Sequence, residues 1–501
     1  MNDMTTRRDV LRSLALTGTG ALLAGCTKKK SIPRPNILFI MTDDQTVNEM
    51  GCYGNDIIDT PNMDRIAEEG ARFTNCFCTN SLCAPSRASI LTGCYSSLNG
   101  ITGNSEKAGE AERLNPAIPT FPELLRKAGY YTTLIGKYHI PQEPRGFDEW
   151  CILPGQGEYF NPEFIENGER TSSEGYVTDI ITYKVLDFLK RIDRSHPFCL
   201  LYQHKAPHRP FTPSPRHTAM YESFEFPYPS TFDDDYASRR IAGLARDMKL
   251  EVSLAGDYPD LPGYLTPEGE KRWIFQRMMR DRHSAVYGID ENLGRVLKYL
   301  DDQKLADDTL VIYTSDNGFF LGEHGWYDKR FMYEPSIRIP LLIRYPRGCI
   351  PGVVNEQTVL NVDIAPTILD YAGVPIPVHM HGKSLRAQME GRRPMAWRQS
   401  MYYAYYENSW RLAGFKQEDL SDPGFKYFTA HRVGPHHGIR TKHYKLIEYY
   451  GEGDYWELFD LDYDPDELEN VYTDPDYKEI VQYQKDELRS LEQKYGIPGK
   501  T

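Results

Sequence analysis

Few features of this sequence point to a membrane protein or to a fold held together by metal or disulfides. The one long apolar run, residues 14–23, is too short to span a bilayer comfortably, since a span needs about 20 apolar residues. The nine cysteines include no Cys-x-x-Cys pair and no spacing typical of zinc sites. We therefore predict no structural zinc and no disulfides, with Cys52, Cys94 and Cys151 as alternative disulfide partners after export.

Basic residues are also in the minority. The chain has 58 Lys and Arg against 71 Asp and Glu, a formal net charge of -13 at pH 7. No basic stripe occurs outside the first 30 residues, which argues against nucleic acid as a partner. An anionic substrate must then be bound by a local basic pocket. Such a pocket is feasible because charges are screened beyond roughly 8 Å at physiological salt.

The first residues have the pattern of an export address. Residues 6–12 resemble a twin-arginine motif, and the apolar run follows them. Residues 23–26 resemble a bacterial lipobox, where cleavage leaves Cys26 lipidated; the alternative is a signal peptide without lipid. We expect an exported bacterial protein, in the periplasm or on the cell surface, that meets a membrane only through Cys26. Residues 1–32 are assigned to this export segment and its tether.

Four apolar stretches predict buried strands of a parallel sheet, and polar residues follow each of them. The stretches are residues 36–41, 130–135, 197–202 and 309–313, followed respectively by Asp43 and Asp44, Lys137 and His139, His204 and His208, and Asp316 and Asn317. The carboxyl ends of parallel strands share one edge, so these side chains should converge. The pattern predicts an α/β domain, residues 33–385, with a mostly parallel central sheet flanked by helices.

The last part of the chain has a different pattern. Residues 438–471 contain short strands rich in Tyr, Ile and Leu with turns between them, and residues 477–495 have the pattern of a closing helix. We predict a smaller C-terminal domain, residues 386–501, that contributes to the substrate pocket. It should contain an antiparallel sheet with one helix packed on it.

The stretch of residues 81–93 carries the most specific motif. Cys83 stands just before a predicted helix, with Pro85 in its first turn and Gly93 at its end. The free N–H groups of a helix start favour an anion, and Arg87 adds a fixed positive charge. The stretch matches the sulfatase signature Cys-x-Pro-Ser-Arg-x-x-x-Leu-Thr-Gly at every position. Residues 129–139 resemble the second signature of that family, with Tyr138 in place of the usual Trp.

By these motifs the sequence resembles the formylglycine-dependent type I sulfatases of the alkaline phosphatase superfamily. The resemblance implies an alkaline-phosphatase-like fold and the hydrolysis of sulfate esters on a carbohydrate. Residues 204–210 and 431–441 look most like bacterial sulfatases of the N-acetylglucosamine-6-sulfatase type, while residues 410–428 depart from that pattern. This implies exo action on 6-O-sulfated N-acetylglucosamine in a glycosaminoglycan, mucin or algal glycan.

A metal site is predicted at the strand ends. Asp43, Asp44, Asp316 and Asn317 offer only oxygen ligands, which suit calcium better than zinc or copper. The resemblance implies that these four bind one Ca²⁺, joined by an oxygen of the formylglycine made from Cys83. Related phosphatases hold two zinc ions and have a His where this chain has Asn317. A phosphodiesterase or phosphonate hydrolase is therefore the weaker enzymatic alternative.

The resemblance also implies roles for the remaining polar side chains. Hydrated formylglycine at Cys83 attacks sulfur. His208 protonates the departing oxygen, and His139 takes a proton from the second hydroxyl to restore the aldehyde. The transferred group is held by three cations, Arg87, Lys137 and Lys329. A formylglycine-generating enzyme is thereby implied as a partner.

Sugar specificity must come from side chains beyond the sulfate. The candidates for contacts with the sugar are His204, Tyr405, Glu407, His431, Arg432 and His436. The alternative from a different class is a glycan-binding lipoprotein that has lost catalysis. The complete set of catalytic side chains argues against this alternative, since binding alone does not require it.

Overall fold

The apolar stretches of the sequence form strands of one large sheet and of smaller sheets. The computed structural model describes residues 34–104, 112–392, 394, 396–407, 431, 433–450 and 455–497, so the predicted export segment and Cys26 lie outside the described residues. The strands are β1 (Asn36–Thr42), β2 (Ala71–Phe73), β3 (Cys76–Phe77), β4 (Tyr131–Lys137), β5 (Glu149–Leu153), β6 (Glu163–Glu166), β7 (Glu169–Ser172), β8 (Phe198–Gln203), β9 (Thr309–Ser315), β10 (Arg338–Ile339), β11 (Leu341–Arg344), β12 (Val353–Asn355), β13 (Val359–Leu360), β14 (Ser400–Tyr405), β15 (His436–Thr441), β16 (Tyr444–Tyr449) and β17 (Tyr455–Asp460).

The central sheet has ten strands in the order β12-β2-β11-β9-β1-β8-β4-β5-β6-β7. Its middle strands, from β9 to β5, run parallel, while β11 and the β6–β7 hairpin are antiparallel to their neighbours. Thr42 of β1 is opposite Ser315 of β9, and Met41 is opposite Gln203 of β8. The carboxyl ends of the middle strands therefore meet at one edge. The predicted mostly parallel sheet is confirmed.

The described residues form twelve α-helices, several of which cover the two faces of this sheet. They are α1 (Pro61–Glu68), α2 (Cys83–Thr92), α3 (Ser96–Asn99), α4 (Phe121–Lys127), α5 (Val177–Arg191), α6 (Arg240–Leu244), α7 (Leu250–Ser253), α8 (Pro267–Asp302), α9 (Glu334–Ile337), α10 (Ile364–Tyr371), α11 (Arg386–Met389) and α12 (Lys478–Tyr495). Phe188 of α5 and Leu293 of α8 share one apolar cluster with Leu38 of β1. The helices α2, α4 and α10 pack on the other face, around Phe39 and Met41. Burial of both faces explains why the strands are continuously apolar.

The strands β14 to β17 form a separate antiparallel sheet in sequence order. Leu488 and Leu491 of α12 lie in the same apolar cluster as Tyr402 and Ile439 of this sheet. The backbone N–H of Ser81, two residues before α2, donates to the hydroxyl of Tyr403 in β14 at 3.2 Å, so the C-terminal sheet stands beside the start of the helix that begins at Cys83. The predicted antiparallel sheet with a packed helix is confirmed, and the domain boundary at residue 385 stays a prediction.

Eight of the nine cysteines lie within the described residues. The cysteines in this part of the chain are all free thiols: Cys52, Cys76, Cys78, Cys83, Cys94, Cys151, Cys199 and Cys349. Within the same residues, no helix combines the length and the apolar character that crossing a membrane requires.

Candidate active site

Three aspartates and an asparagine stand at the carboxyl edge of the central sheet, where β1 and β9 end. Asp43 and Asp44 follow β1, and Asp316 and Asn317 follow β9. All four are buried, with at most 1 % of their surface exposed. Carboxylate oxygens of the three aspartates lie within 4.8 Å of one another. Buried carboxylates at this spacing repel one another unless cations surround them.

The backbone at Asp44 is held in an unusual conformation. Its φ is 67°, in the left-handed region that residues other than glycine rarely adopt. Its carbonyl accepts a hydrogen bond of 2.7 Å from Arg282, a buried side chain that also donates to both carboxylate oxygens of Glu49, at 2.9 and 2.8 Å. Strained backbone of this kind is common at functional sites, where the surroundings stabilise it.

The electrostatics of these four residues fit a hard cation. Burial raises the pKa of Asp44, and burial and then Asp43 raise that of Asp316 to about 7. Burial acts in the same direction on Asp43, but Lys137 and the other nearby cations hold its pKa well below the ordinary value. Asn317 Oδ1 is buried and has no hydrogen-bond partner among the described residues. A divalent cation would satisfy this oxygen and stabilise the ionised carboxylates, so the four residues form a possible metal site.

Cys83 faces this site as the first residue of α2, one position further into the helix than the sequence predicts. Leu82 precedes the helix in an extended conformation, and Gly93 ends it in the left-handed one. The Cys83 Sγ lies 3.5 Å from Asp43 Oδ1 and 4.0 Å from Lys137 Nζ. The thiol is fully buried, and burial raises its pKa. An unmodified thiol here stays protonated and is a weak nucleophile.

Arg87 ties α2 to the edge of the sheet. It lies one turn beyond Cys83 and donates to Asp316 Oδ2 from Nε at 2.9 Å, with Nη2 at 2.8 Å from the same oxygen. Its Nη1 donates to the carbonyl of Lys137 at 2.7 Å. These bonds fix the buried guanidinium beside the start of the helix.

Two lysines contact the other aspartates. The ammonium of Lys137, at the end of β4, donates to Asp43, and that of Lys329 donates to both carboxylate oxygens of Asp44 at 2.6 Å. Burial lowers the pKa of Lys329, but Asp44 and the other acidic groups around it together outweigh burial, so the pKa lies well above its ordinary value. A cation bound to the aspartates would compete for these contacts and leave both ammonium groups for a bound anion.

Two histidines complete the predicted catalytic set. His208 Nδ1 lies 2.7 Å from the carbonyl of Arg209, so Nδ1 carries the hydrogen and Nε2 faces the site, 3.8 Å from Asp44 Oδ2. Burial and then Lys137 lower the pKa of His208 well below its ordinary value. His139 follows β4 with a φ of 54° and is 7 % exposed. The structure thus brings the predicted metal ligands, Cys83, the three cations and His208 together.

Comparisons with known proteins agree with this geometry. Residues 35–374 match the family model described as Sulfatase. The chain belongs to the sulfatase family. Residues 413–494 match a second model, the C-terminal region of N-sulphoglucosamine sulphohydrolase. An N-acetylglucosamine-6-O-sulfatase of Bacteroides thetaiotaomicron is 42% identical to this sulfatase over 92% of the chain and 88% of that protein. The human N-acetylglucosamine-6-sulfatase is 29% identical, over 74% and 67%.

Solved structures resemble this sulfatase over most of its length. The structure of BT4656 in complex with its substrate D-glucosamine-2-N,6-O-disulfate aligns with a TM-score of 0.82 and 40% identity, covering 92% of this chain and 98% of that one. The phosphonate monoester hydrolase of Agrobacterium radiobacter shares only the fold, with a TM-score of 0.71 and 21% identity over 92% and 96% of the two chains. The predicted family and the predicted activity, a sulfuric ester hydrolase, are confirmed.

Three residues that the sequence assigns to the sugar lie beside one loop of this sulfatase. Tyr405 and Glu407 both contact Arg330 Nη1, at 3.3 and 3.2 Å. His431 Nε2 lies 2.8 Å from Asp328 Oδ2. The loop that carries both partners joins the site at the sheet edge to the C-terminal sheet.

Two further predicted sugar contacts, His204 and His436, are fully buried. His204 is fully buried on the opposite face of the sheet, with its ring 4.3 Å from that of Tyr202, and burial lowers its pKa to about 3. His436 is also fully buried, with its ring stacked at 5.7 Å on that of Tyr403. Arg432 lies outside the described residues.

The site contains two further side chains, Gln156 and Lys205, that the sequence analysis does not predict as site residues. Gln156 Oε1 accepts from Lys137 at 2.6 Å, and its carbonyl accepts from Lys205 Nζ at 3.1 Å. The Lys205 ammonium lies 4.9 Å from the centre of the Tyr159 ring and has no carboxylate within ion-pair distance in the part of the chain that the structure describes. The sequence could have indicated Lys205, because it lies in a turn with two histidines and an arginine.

We expect Lys205→Met to make the protein more stable and less active. Lys205 is 2 % exposed, and burial followed by Lys137 lowers its pKa to about 8. Relative to an ordinary value of about 10.4, the folded state disfavours the ammonium by about 3 kcal/mol. The lost hydrogen bond to Gln156 offsets about 1 kcal/mol. The thermal midpoint at pH 7 should therefore rise by about 2 °C in calorimetry. The kcat/KM on sulfate esters should fall by about tenfold, because a positive charge beside the anion site is lost.

The stability advantage of Lys205→Met over the wild type should shrink as the pH rises above 8. Below pH 8 both folded and unfolded chains carry the Lys205 proton, so the full penalty is present in the wild type. From pH 8 to about 10.4 only the unfolded chain keeps the proton, so the wild type gains stability relative to Lys205→Met. A difference that stays constant over this range would contradict the lowered pKa.

Proposed function

We propose that this sulfatase removes the 6-O-sulfate of N-acetylglucosamine at the end of a sulfated glycan, using formylglycine at position 83 and one calcium ion. Two similarities support this substrate. The 42% identical relative is named an N-acetylglucosamine-6-O-sulfatase, and BT4656, 40% identical, is described with a 2-N,6-O-disulfated glucosamine as its substrate. Exo action and the calcium ion extend this proposal beyond the names of the relatives.

One observation carries the chemistry, namely the burial of Cys83 between a carboxylate and cations. The raised pKa of its thiol makes cysteine itself a poor nucleophile. Formylglycine at this position supplies a hydrated aldehyde, whose hydroxyl is an oxygen nucleophile. The helix start and Arg87 hold that position fixed relative to Asp43 and Asp316. The Cys83 side chain is therefore where a modified residue meets a bound sulfate.

Calcium suits the four oxygen ligands of the site. Asp43, Asp44, Asp316 and the orphaned Oδ1 of Asn317 would hold it. When bound, the ion neutralises charge on the sulfate oxygens and on the nucleophile. Lys329 is part of the same arrangement, because its present partner Asp44 would turn to the ion.

The protein side chains divide the remaining work. Arg87, Lys137 and Lys329 bind the sulfate oxygens and stabilise their negative charge during transfer. His208 Nε2 faces the site and donates a proton to the leaving sugar oxygen. Burial lowers the pKa of the free His208, so Nε2 takes up this proton when a bound sulfate stabilises the imidazolium. His139 is assigned the later removal of a proton from the hydroxyl at position 83.

A substrate panel tests the proposal. Protein made together with a formylglycine-generating enzyme is assayed on 6-O-sulfated N-acetylglucosamine, 6-O-sulfated galactose, a 2-O-sulfated uronate and a phosphonate monoester. We expect kcat/KM on the first substrate to exceed the others by about 100-fold or more, since a site built for specific polar groups rejects analogues that leave them unpaired.

Each of the other outcomes would reject one part of the proposed function. Preference for another sulfated sugar removes the proposed substrate. Faster hydrolysis of the phosphonate ester would favour the alternative enzyme, a phosphodiesterase or phosphonate hydrolase. Binding of sulfated glycans without turnover of any ester, by protein whose residue 83 is fully converted, would favour the glycan-binding alternative.

A further inference from the structure

The helix that begins at Cys83 is capped by a residue from elsewhere in the chain. Leu82 has an apolar side chain and cannot satisfy the first N–H groups of α2. The N–H of Ala84 instead donates to Asn104 Oδ1 at 2.9 Å. Asn104 follows α3 in sequence and therefore fixes the start of α2 from a neighbouring loop.

Asn104 is held in turn by Glu407. Its backbone N–H donates to Glu407 Oε1 at 2.7 Å. A Cβ on the preceding residue, Gly103, would lie 2.9 Å from the same oxygen, so the loop backbone passes close to the carboxylate. The Glu407 side chain is 13% exposed. This carboxylate thus fixes the loop that caps α2.

The second oxygen of Glu407 leads back to the sulfate end of the site. Glu407 Oε2 lies 3.2 Å from Arg330 Nη1 and 3.3 Å from the hydroxyl of Tyr405. Arg330 directly follows Lys329 and has a φ of 98°, a conformation that its side-chain contacts must stabilise. The Arg330 Nε also donates to Asp328 at 3.0 Å.

We propose that Glu407 is a positioning residue for the sulfatase reaction. One of its oxygens sets the start of α2 and hence position 83; the other sets the loop that presents Lys329 to Asp44. Removal of its carboxylate would loosen the nucleophile and a sulfate-binding cation together. This role concerns every sulfate ester equally and goes beyond the proposed substrate. It differs from the sugar contact that the sequence predicts for Glu407.

Kinetics on two substrates test the proposal. For Glu407→Ala we expect kcat to fall by about 10- to 100-fold on an aryl sulfate and on 6-O-sulfated N-acetylglucosamine alike, because small misplacements of reacting groups have effects of that size. KM should change by less than about threefold on the aryl sulfate, since ground-state binding is kept. Glu407→Gln should lose less, because its amide oxygen can still accept from Asn104.

Two further variants separate positioning from general damage. Asn104→Ala should give part of the kcat loss, because it breaks the contacts that lead to α2 and leaves those that lead to Arg330. The double variant with Glu407→Ala should lose little more than Glu407→Ala alone. Glu487→Ala is the matched control: it removes a 2.7 Å hydrogen bond to Ser400, at the other end of β14, and should leave kcat unchanged. Formylglycine content is measured in each variant and turnover is expressed per converted site.

The outcomes are distinct. A loss on the glycan substrate alone would show that Glu407 contacts the sugar and would overturn the proposal. A lowered thermal midpoint with unchanged kcat on both substrates would also overturn it, because the role would be structural only. Wild-type inactivity on every sulfated sugar would reject the proposed function and leave the aryl sulfate comparison to decide on Glu407.

Discussion

Replacing Cys83 by alanine should abolish sulfatase turnover while leaving the fold intact. We expect kcat to fall by on the order of 10⁴-fold or more, as is found when the nucleophile of a covalent enzyme is removed. The site offers no substitute, since the hydroxyl or thiol that faces Asp43 and Lys137 comes from this position alone among the described residues. Loss of one buried sulfur should lower the free energy of unfolding by about 1 kcal/mol. The measurement is aryl sulfate hydrolysis with calorimetry on the same sample.

Cys94→Ala is the matched control for this variant. Cys94 is a buried thiol just beyond the other end of α2, where its Sγ contacts the carbonyls of Thr92 and His379 at 3.4 and 3.5 Å. Its replacement makes a comparable cavity without touching the site, so activity should be kept. Equal activity of Cys83→Ala and Cys94→Ala would exclude covalent catalysis at position 83.

Asp316→Asn should remove both the metal and the activity. Asp316 accepts from Arg87 Nε at 2.9 Å and from the backbone N–H of Asp44 and Asn317 at 3.1 and 2.9 Å. The amide keeps the shape but loses a negative charge and turns an N–H₂ group toward one of these donors. We expect bound calcium to fall from one per chain to near zero. The kcat/KM should fall by about 10³-fold or more, since metal and guanidinium positions change together.

Bound calcium is measured by mass spectrometry of the purified protein, and kcat/KM is measured on the same samples. Asp290→Asn is the control, because Asp290 is also a buried carboxylate and accepts from the backbone N–H groups of Asn62 and Met63 outside the metal site. It should keep one calcium and full activity. A fully active Asp316→Asn, or two zinc ions in the wild type, would contradict the calcium site.

The sheet edge was predictable from the sequence because strand order and direction leave little freedom there. A buried parallel strand has a continuous apolar sequence, and the carboxyl ends of such strands all lie at the same edge of the sheet. Asp43 and Asp316 therefore meet although they are far apart in sequence, and the register of Thr42 with Ser315 places them side by side. The predicted helices that flank these strands follow the same logic of apolar periodicity.

The direction of side chains in turns was not predictable in this way. His204 and His208 lie in one turn after β8, and the sequence assigns both to the site. The backbone turns between them, so His204 packs on Tyr202 inside the fold while His208 faces Asp44. No periodicity applies to an irregular turn, so the two histidines cannot be told apart from their spacing.

Long-range contacts of loops were equally hidden. Asp328 and Arg330 have φ values of 72° and 98°; aspartate adopts such a left-handed backbone only in a minority of cases and arginine rarely, so the residue types do not predict it here. Glu407 meets Asn104 only because the C-terminal sheet packs beside α2. The first half of α8, which spans Pro267–Asp302, depends on loop contacts in the same way, because its apolar residues pack on loop residues such as Phe226.

The mass of the peptide that contains residue 83 shows whether this sulfatase uses formylglycine. The sample is active wild-type protein, made with a formylglycine-generating enzyme and digested after its turnover number is recorded. We predict that the cysteine has lost its sulfur and two hydrogens and gained one oxygen, that the peptide reacts with a hydrazide, and that activity rises in proportion to this converted fraction. Full sulfatase activity in protein whose Cys83 is wholly unmodified would contradict catalysis by formylglycine.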